Sequence, residues 1–368
     1  MKQLIIRSLA IALLGSIPTH ALAVEFAVVG PRAAGMGGAG VAVTTDALAT
    51  YWNPAGLAMT QTVDIRIQAT VQRVDRLGVL QTLDDIKNFT TPNVATAQAL
   101  ADRINGGTVS AAAAGGLYFK GHFGEHAFGF NVSDVATGGA FVDPNNRFRQ
   151  IDGNVQGAFL LRGLEARQAA FSYAYAFADK TLAIGVTAKA IQGAAYAGSA
   201  TVTGGQDVTL RDNLGKAKLT SAFSVDVGAI YRPASWLRFG VVAKDITQPE
   251  FDAPDGTKLK MLPQVRGGVA VNPYSSLTLT ADMDATSNKT FVPGIKSQVL
   301  SVGAEQTILN EFLSLRAGAF KNVQDAASII TPTAGFGLQV FALRVDVGGG
   351  YDFRERGALA SGSVSLTF

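Results

Sequence analysis

The sequence predicts an all-β protein, a transmembrane antiparallel β-barrel of about 14 strands. Three observations carry this. Segment after segment alternates apolar with small or polar residues at a period of two. Charged residues make up only 16% and the 41 glycines are spread along the chain, whereas soluble domains carry roughly 25% charge. No apolar run reaches the roughly 18 residues of a spanning helix, and only helices and closed barrels satisfy every backbone hydrogen bond in lipid.

The elements follow in chain order. Met1-Lys2-Gln3 and Arg7 precede an apolar run from Leu9 to Ile17, then Pro18 and the small-residue pattern Ala21-Leu22-Ala23. That is the layout of a secretory signal peptide, residues 1–23, cleaved after Ala23. The run is far below the roughly 20 residues an anchor needs, and a chain without Cys carries no lipidated N-terminus. An exported barrel belongs in the bacterial outer membrane, with membrane lipid as its partner. The net charge of +3 implies neither nucleic acid nor an acidic substrate.

The barrel is expected over residues 62–368. In Leu277 to Asp284, the residues Leu277, Leu279, Ala281 and Met283 share one face, and Thr278, Thr280, Asp282 and Asp284 the other. Asp64 to Gln72 repeats the pattern, with Ile65, Ile67, Ala69 and Val71 opposite Arg66, Gln68, Thr70 and Gln72. Ser224 to Tyr231 repeats it again, with Val225, Val227, Ala229 and Tyr231 opposite Ser224, Asp226 and Gly228. Strands counted this way begin near Thr62, Ala114, Glu125, Arg167, Thr181, Leu219, Trp236, Leu262, Ser276, Ser297, Glu311, Thr333, Ala342 and Ala360. Connections alternate long and short, among them Asp75 to Ala113, Gly121 to Gly124, Asp134 to Ala166 and Ala178 to Lys180. Outer-membrane barrels have short periplasmic turns and long outer loops, so both chain ends fall at the periplasmic side. Asn93 to Ile104 has helical spacing in the first outer loop, and either caps the barrel mouth or shields its rim. Phe171, Tyr173, Tyr175 and Phe177 alternate near a periplasmic turn, as an interfacial girdle does.

Residues 24–61 do not read as a strand. They contain Gly30-Pro31-Arg32, the glycine-rich stretch Gly35, Gly37, Gly38 and Gly40, then Asp46 and the box Asn53-Pro54-Ala55. This combination resembles the N-terminal hatch of FadL-type fatty-acid transporters and PorV-type outer-membrane proteins. Val225 to Pro233, Gly303-Ala304-Glu305 and Leu315 to Gly318 are similar to barrel motifs of PorV-like proteins and of the family labelled conjugal transfer protein TraF. The resemblance implies a 14-strand barrel whose lumen holds the hatch. It also implies that Phe368, after Val364 and Leu366, is the C-terminal signal read by the barrel-assembly machinery. The inward charges Arg66, Asp226, Arg266, Asp282, Glu305, Arg316, Arg344 and Asp346 are placed to anchor Arg32 and Asp46, or to pair among themselves across the wall. The helical insertion after strand one departs from the fatty-acid transporters, whose prominent insertions come later. A lateral exit at strand three would require a break near Gly129 or Gly138-Gly139.

Catalytic chemistry finds no footing. Gly35 to Gly40 satisfies G-x-G-x-x-G, but Val41-Ala42-Val43 follows in place of a helix and no βαβ unit continues. In the expected mature chain His122 and His126 fall at or beside the short turn Gly121 to Gly124, which suits structural or solvent-exposed roles and not a metal pair. The expectation is a barrel that is not an enzyme and holds no cofactor or metal. It lets a small hydrophobic molecule pass the hatch, or serves as a scaffold of a conjugation or secretion system.

Overall fold

The computed structural model describes Leu22–Ala23 and residues 27–368, apart from residues 310, 327 and 355. The expected signal peptide lies outside the described residues except at Leu22–Ala23. The barrel strands are β1 (Asp64–Arg76), β2 (Thr108–Phe123), β3 (His126–Val142), β4 (Asn154–Phe177), β5 (Leu182–Thr203), β6 (Lys218–Ala234) and β7 (Leu237–Lys244). They continue as β8 (Gln264–Tyr274), β9 (Leu277–Asp284), β10 (Val299–Ile308), β11 (Leu313–Asn322), β12 (Thr331–Val340), β13 (Leu343–Asp352) and β14 (Gly357–Thr367). Each pairs antiparallel with its sequence neighbours, and β1 meets β14 through Ile65↔Leu366 and Ile67↔Val364, closing a 14-strand barrel with no free edge.

The alternation sets which face meets lipid. Ile67, Phe130, Phe171, Val241, Val302 and Val364 point outward and are exposed, while their neighbours Arg66, Asn131, Ser172, Val242, Ser301 and Ser363 point into the lumen and are buried. His126 joins the outward aromatic girdle, its Nδ1 lying 2.8 Å from the hydroxyl of Tyr173 and its ring 4.9 Å from that of Tyr175. Gly124-Glu125 is one of the short periplasmic turns, and Phe368 pairs with Val63 through backbone hydrogen bonds of 2.9 and 3.0 Å at the same end.

The wall is uneven in height. A spanning strand needs roughly 9–11 residues, yet β4 has 24 and β5 has 22, whereas β7 and β9 have 8 each. The surplus lifts the β3–β5 side roughly 30 Å above the membrane band. Much of Asp134 to Ala166, expected as a loop, is therefore strand. Asp134, Glu165 and Arg167 look loop-like in sequence because the outward face of this extension stands in water, where charge carries no penalty.

Two helices cover that outward face, α3 (Val79–Lys87) and α4 (Val94–Ile104), counted after two short helices of the inner segment, α1 (Pro31–Gly35) and α2 (Ala49–Trp52). Asn93 caps α4 by accepting from Thr96 N at 3.0 Å. Val79, Ile86, Leu100 and Ile104 pack with Ala140, Phe159, Leu161 and Val202. Phe159 and Leu161 share the outward face of exposed Phe171 by unbroken alternation. The insertion thus sheathes the tall wall and does not cap the mouth. The mouth is instead narrowed by the hairpin Glu250–Asp252 and Lys258–Lys260, whose Phe251 and Leu259 pack on Leu164, Ala166, Ile191 and Ala195 of β4 and β5. At strand three the ladder is continuous through Gly129↔Ser172, Gly138↔Gly163 and Gly139↔Arg162, so the wall has no break there.

Candidate functional site

Residues 27–61 run through the barrel lumen, and nearly all are buried. Pro31 occupies the first turn of α1, where its missing N–H costs nothing. Gly37 and Gly38, at φ 68° and 82°, end it; there Gly38 N donates to Ala33 O at 2.8 Å. After α2, Asn53 caps the 3-10 helix Pro54–Met59: its Oδ1 accepts from Ala55 N at 3.1 Å. Its Nδ2 donates to Val41 O at 3.1 Å and to the wall carbonyls of Ala229 at 3.2 Å and Val241 at 3.4 Å. The Asn-Pro-Ala box is therefore both a cap and a staple to β6 and β7.

The wall makes room for this segment with glycines paired across strands. Gly303↔Gly318 on β10 and β11 and Gly335↔Gly348 on β12 and β13 form a floor under α1. A methyl group at Gly303 or Gly318 would run into Met36, and one at Gly348 into Pro31. Gly185↔Gly228 and Gly240↔Gly268 do the same beneath Asn53, Pro54 and Ala42.

Charges then join segment to wall. Arg32 meets Glu305 at 2.6 Å, Glu305 meets Arg316 at 2.7 Å, Arg316 meets Asp346 at 2.7 Å, Asp346 meets Arg66 at 3.6 Å, and Arg66 meets Asp46 at 3.1 Å. This alternating chain begins and ends on the inner segment and passes through four wall residues. Burial pulls the Arg32 guanidinium toward neutrality, but Glu305, with Asp46 and Asp346 behind it, makes the net shift upward, while burial pushes the Tyr51 phenol up. Asp282 binds the glycine-rich stretch directly, its Oδ2 accepting from Gly40 N at 2.7 Å and Val41 N at 2.8 Å. Gly37 N donates to Thr333 Oγ1 at 2.9 Å. The backbone that a dinucleotide would need is thus packed on the wall.

The remaining charges pair chiefly within the wall, and Arg266 also reaches the segment, its guanidinium 6.0 Å from the Trp52 ring centroid. Arg344 pairs with Asp346 at 2.9 Å, and Asp226 pairs with Lys189 at 2.6 Å. Arg266 pairs with Asp284 at 2.6 Å and also donates to Gly38 O at 3.4 Å. Sequence reasoning passed over Lys120, which donates to Thr45 O at 2.7 Å and Thr60 O at 3.0 Å, and Lys244, whose Nζ sits 3.2 Å from the Tyr51 ring centroid. The period-two test that picked out Arg66 places both on inward faces. Trp52 was also missed; fully buried, it donates from Nε1 to Val29 O at 2.8 Å.

Above the inner segment, among the outer ends of the strands, lies a recess of about 170 Å³. Ala27 touches it from the inner segment, and β1–β3 and the β9–β10 loop both line it, the loop with Phe291, Val292 and Ile295, of which Val292 packs beside Gly139 of β3. A second cavity, beside Tyr51, Lys189 and Met261, has only about 30 Å³, room for no more than a few water molecules.

A family model described as F plasmid transfer operon, TraF, protein matches residues 50–284. The chain belongs to that family. No curated protein sequence matches it significantly. Solved structures similar to this TraF-family barrel include the TodX monoaromatic hydrocarbon channel in a deltaS2 mutant, at 12% identity and a TM-score of 0.58, covering 94% of this chain and 98% of that one. The CymD monoaromatic hydrocarbon channel matches at 14% identity and a TM-score of 0.57, covering 94% and 98%. The Ralstonia pickettii toluene transporter TbuX matches at 17% and 0.52, covering 92% and 97%. The likeness is one of fold, and it extends over nearly the whole of each chain. A closed barrel with a lipid-facing apolar belt places this TraF-family protein in the bacterial outer membrane.

Proposed function

We propose that this barrel lets a small molecule with an apolar body cross the outer membrane past residues 27–61, which act as a hatch. The observation that carries the reading is the recess among the outer strand ends with Ala27 in its lining, in a fold shared with proteins described as hydrocarbon channels and a toluene transporter. In this reading the continuous strand-three ladder excludes a lateral exit at that point, so the solute reaches the periplasm only when the hatch shifts. The hatch motif supplies the backbone contacts, and the charges from Arg32 to Asp46 supply a latch that can open and reclose without unfolding the wall. Phe368 serves assembly, as the terminal residue offered to the barrel-assembly machinery. The test is deletion of residues 24–60, with uptake of small aromatics measured in cells. Uptake should change; unchanged uptake sinks the transport reading.

Family membership favours a second reading, a scaffold of a conjugation or secretion apparatus. Its surface would be the tall β3–β5 wall with its helical sheath. Recovery of apparatus components with the full-length barrel, together with no barrel-dependent solute flux, would establish it over transport.

A further inference from the structure

We infer that the outer recess selects a neutral amphiphile, a compact apolar body carrying one hydroxyl or carbonyl group, over a bare hydrocarbon and over a carboxylate. This rests on the transport reading and names its substrate class.

The lining of the recess mixes uncharged polar side chains with apolar ones. On the β1–β3 side, Gln72, Thr108, Ser110 and Thr137 line the space, and none of these side chains has a hydrogen-bond partner among the described residues. The register groups them tightly: Gln72 is opposite Ala112, Ala112 is opposite Thr137, and Ser110 is opposite Val74. The same lining holds Phe291, Val292, Ile295, Phe320 and Leu359. A guest filling the recess displaces water from these unused donors and acceptors. A hydrocarbon returns nothing for that loss, whereas a hydroxyl or carbonyl hydrogen-bonds in water's place and leaves its body against Phe291 and Ile295.

Charge argues for a neutral head. The lining holds Arg73 and Arg76 against Asp325 and Asp352, an even balance, and Arg76 already pairs with Asp325. Asp352 accepts from Thr331 Oγ1 at 3.3 Å. A carboxylate would therefore meet no surplus of positive charge to offset its desolvation.

The test uses the purified full-length barrel in detergent and three probes of one shape: p-cresol, p-xylene and p-toluate. Calorimetry should give p-cresol a dissociation constant about tenfold or more below the other two. In a Ser110→Ala/Thr137→Val variant that preference should disappear with p-xylene binding retained. Equal binding of the three, absence of p-cresol binding, tighter binding of either other probe, or an unaltered preference in the variant would overturn the inference. Barrel-dependent cell uptake separates it from the transport reading. Equal uptake of p-cresol and p-xylene keeps transport and rejects selectivity, whereas selective binding without barrel-dependent uptake keeps selectivity and rejects transport.

Discussion

Arg32 on the inner segment and Glu305 on β10 lie 273 positions apart in sequence, yet their side chains meet through both carboxylate oxygens, at 2.6 to 3.1 Å. Glu305 also holds Arg316 at 2.7 Å, so one carboxylate compensates two guanidinium groups. Removing one member of such a buried pair costs about 3–5 kcal/mol, because the partner keeps its desolvation penalty without its counter-charge. We predict that Glu305→Gln loosens residues 27–60 without unfolding the barrel. Hydrogen exchange should quicken in that segment and stay slow in β10 and β11; unchanged exchange in residues 27–60 would show that the pair does not restrain them.

The close approach at Gly318 gives a steric test of the same docking. A side chain there meets Met36 and Gly37 at their backbone, and neither can give way while α1 stays seated. We predict that Gly318→Val displaces α1 while the β10–β11 ladder, from Val299↔Asn322 to Ile308↔Leu313, persists. Protease accessibility of residues 27–45 should rise in the variant, with the barrel domain still migrating as a folded species. A variant as resistant as the parent would mean that the glycine pair does not set the seat.

How much of this was legible in sequence depends on what the solvent demands of each strand. Across the membrane band the outward face must be apolar, so Leu279 and Met283 opposite Thr280 and Asp282 could be assigned from alternation alone, and the structure exposes the first pair and buries the second. Above the band that demand lapses. Asp134 and Arg167 face outward there, and β3 to β5 carry Gly138, Gly139 and Gly163, so in sequence the extension has the look of a loop. Helix α3 escaped because its buried positions, Val79, Thr82 and Ile86, form a stripe with a polar member. Which glycines meet across strands depends on register over long sequence distances. The Gly303↔Gly318 floor therefore became visible only in three dimensions.

Asn53 ties local geometry to the wall, and its loss should be felt at a distance from the helix it caps. We predict that Asn53→Ala costs about 1–2 kcal/mol locally through the cap alone, with the staple to Ala229 and Val241 lost in addition. Trp52 is fully buried and adjacent, and the only other tryptophan, Trp236, is 52% exposed. In a Trp236→Phe background the emission of Trp52 should shift to the red and become accessible to iodide when Asn53 is replaced. An emission spectrum identical to that of the parent would place the stabilisation of this turn elsewhere.

The helical sheath separates two roles that sequence reasoning left open. Leu100 and Ile104 pack on the outward side of β3 to β5 with Phe159 and Leu161, whereas Phe291 lines the recess. A cap over the mouth would control entry; a sheath would not. We predict that Leu100→Asp detaches α4 and opens residues 79–105 to surface protease, because burying an unpaired carboxylate against Phe159 is costlier than exposing the helix. Uptake of small aromatics should stay at the parental rate, while Phe291→Ala should alter it. If Leu100→Asp instead changes uptake as much as Phe291→Ala does, the helices govern the mouth after all, and the tall wall must then move with them as part of the gate.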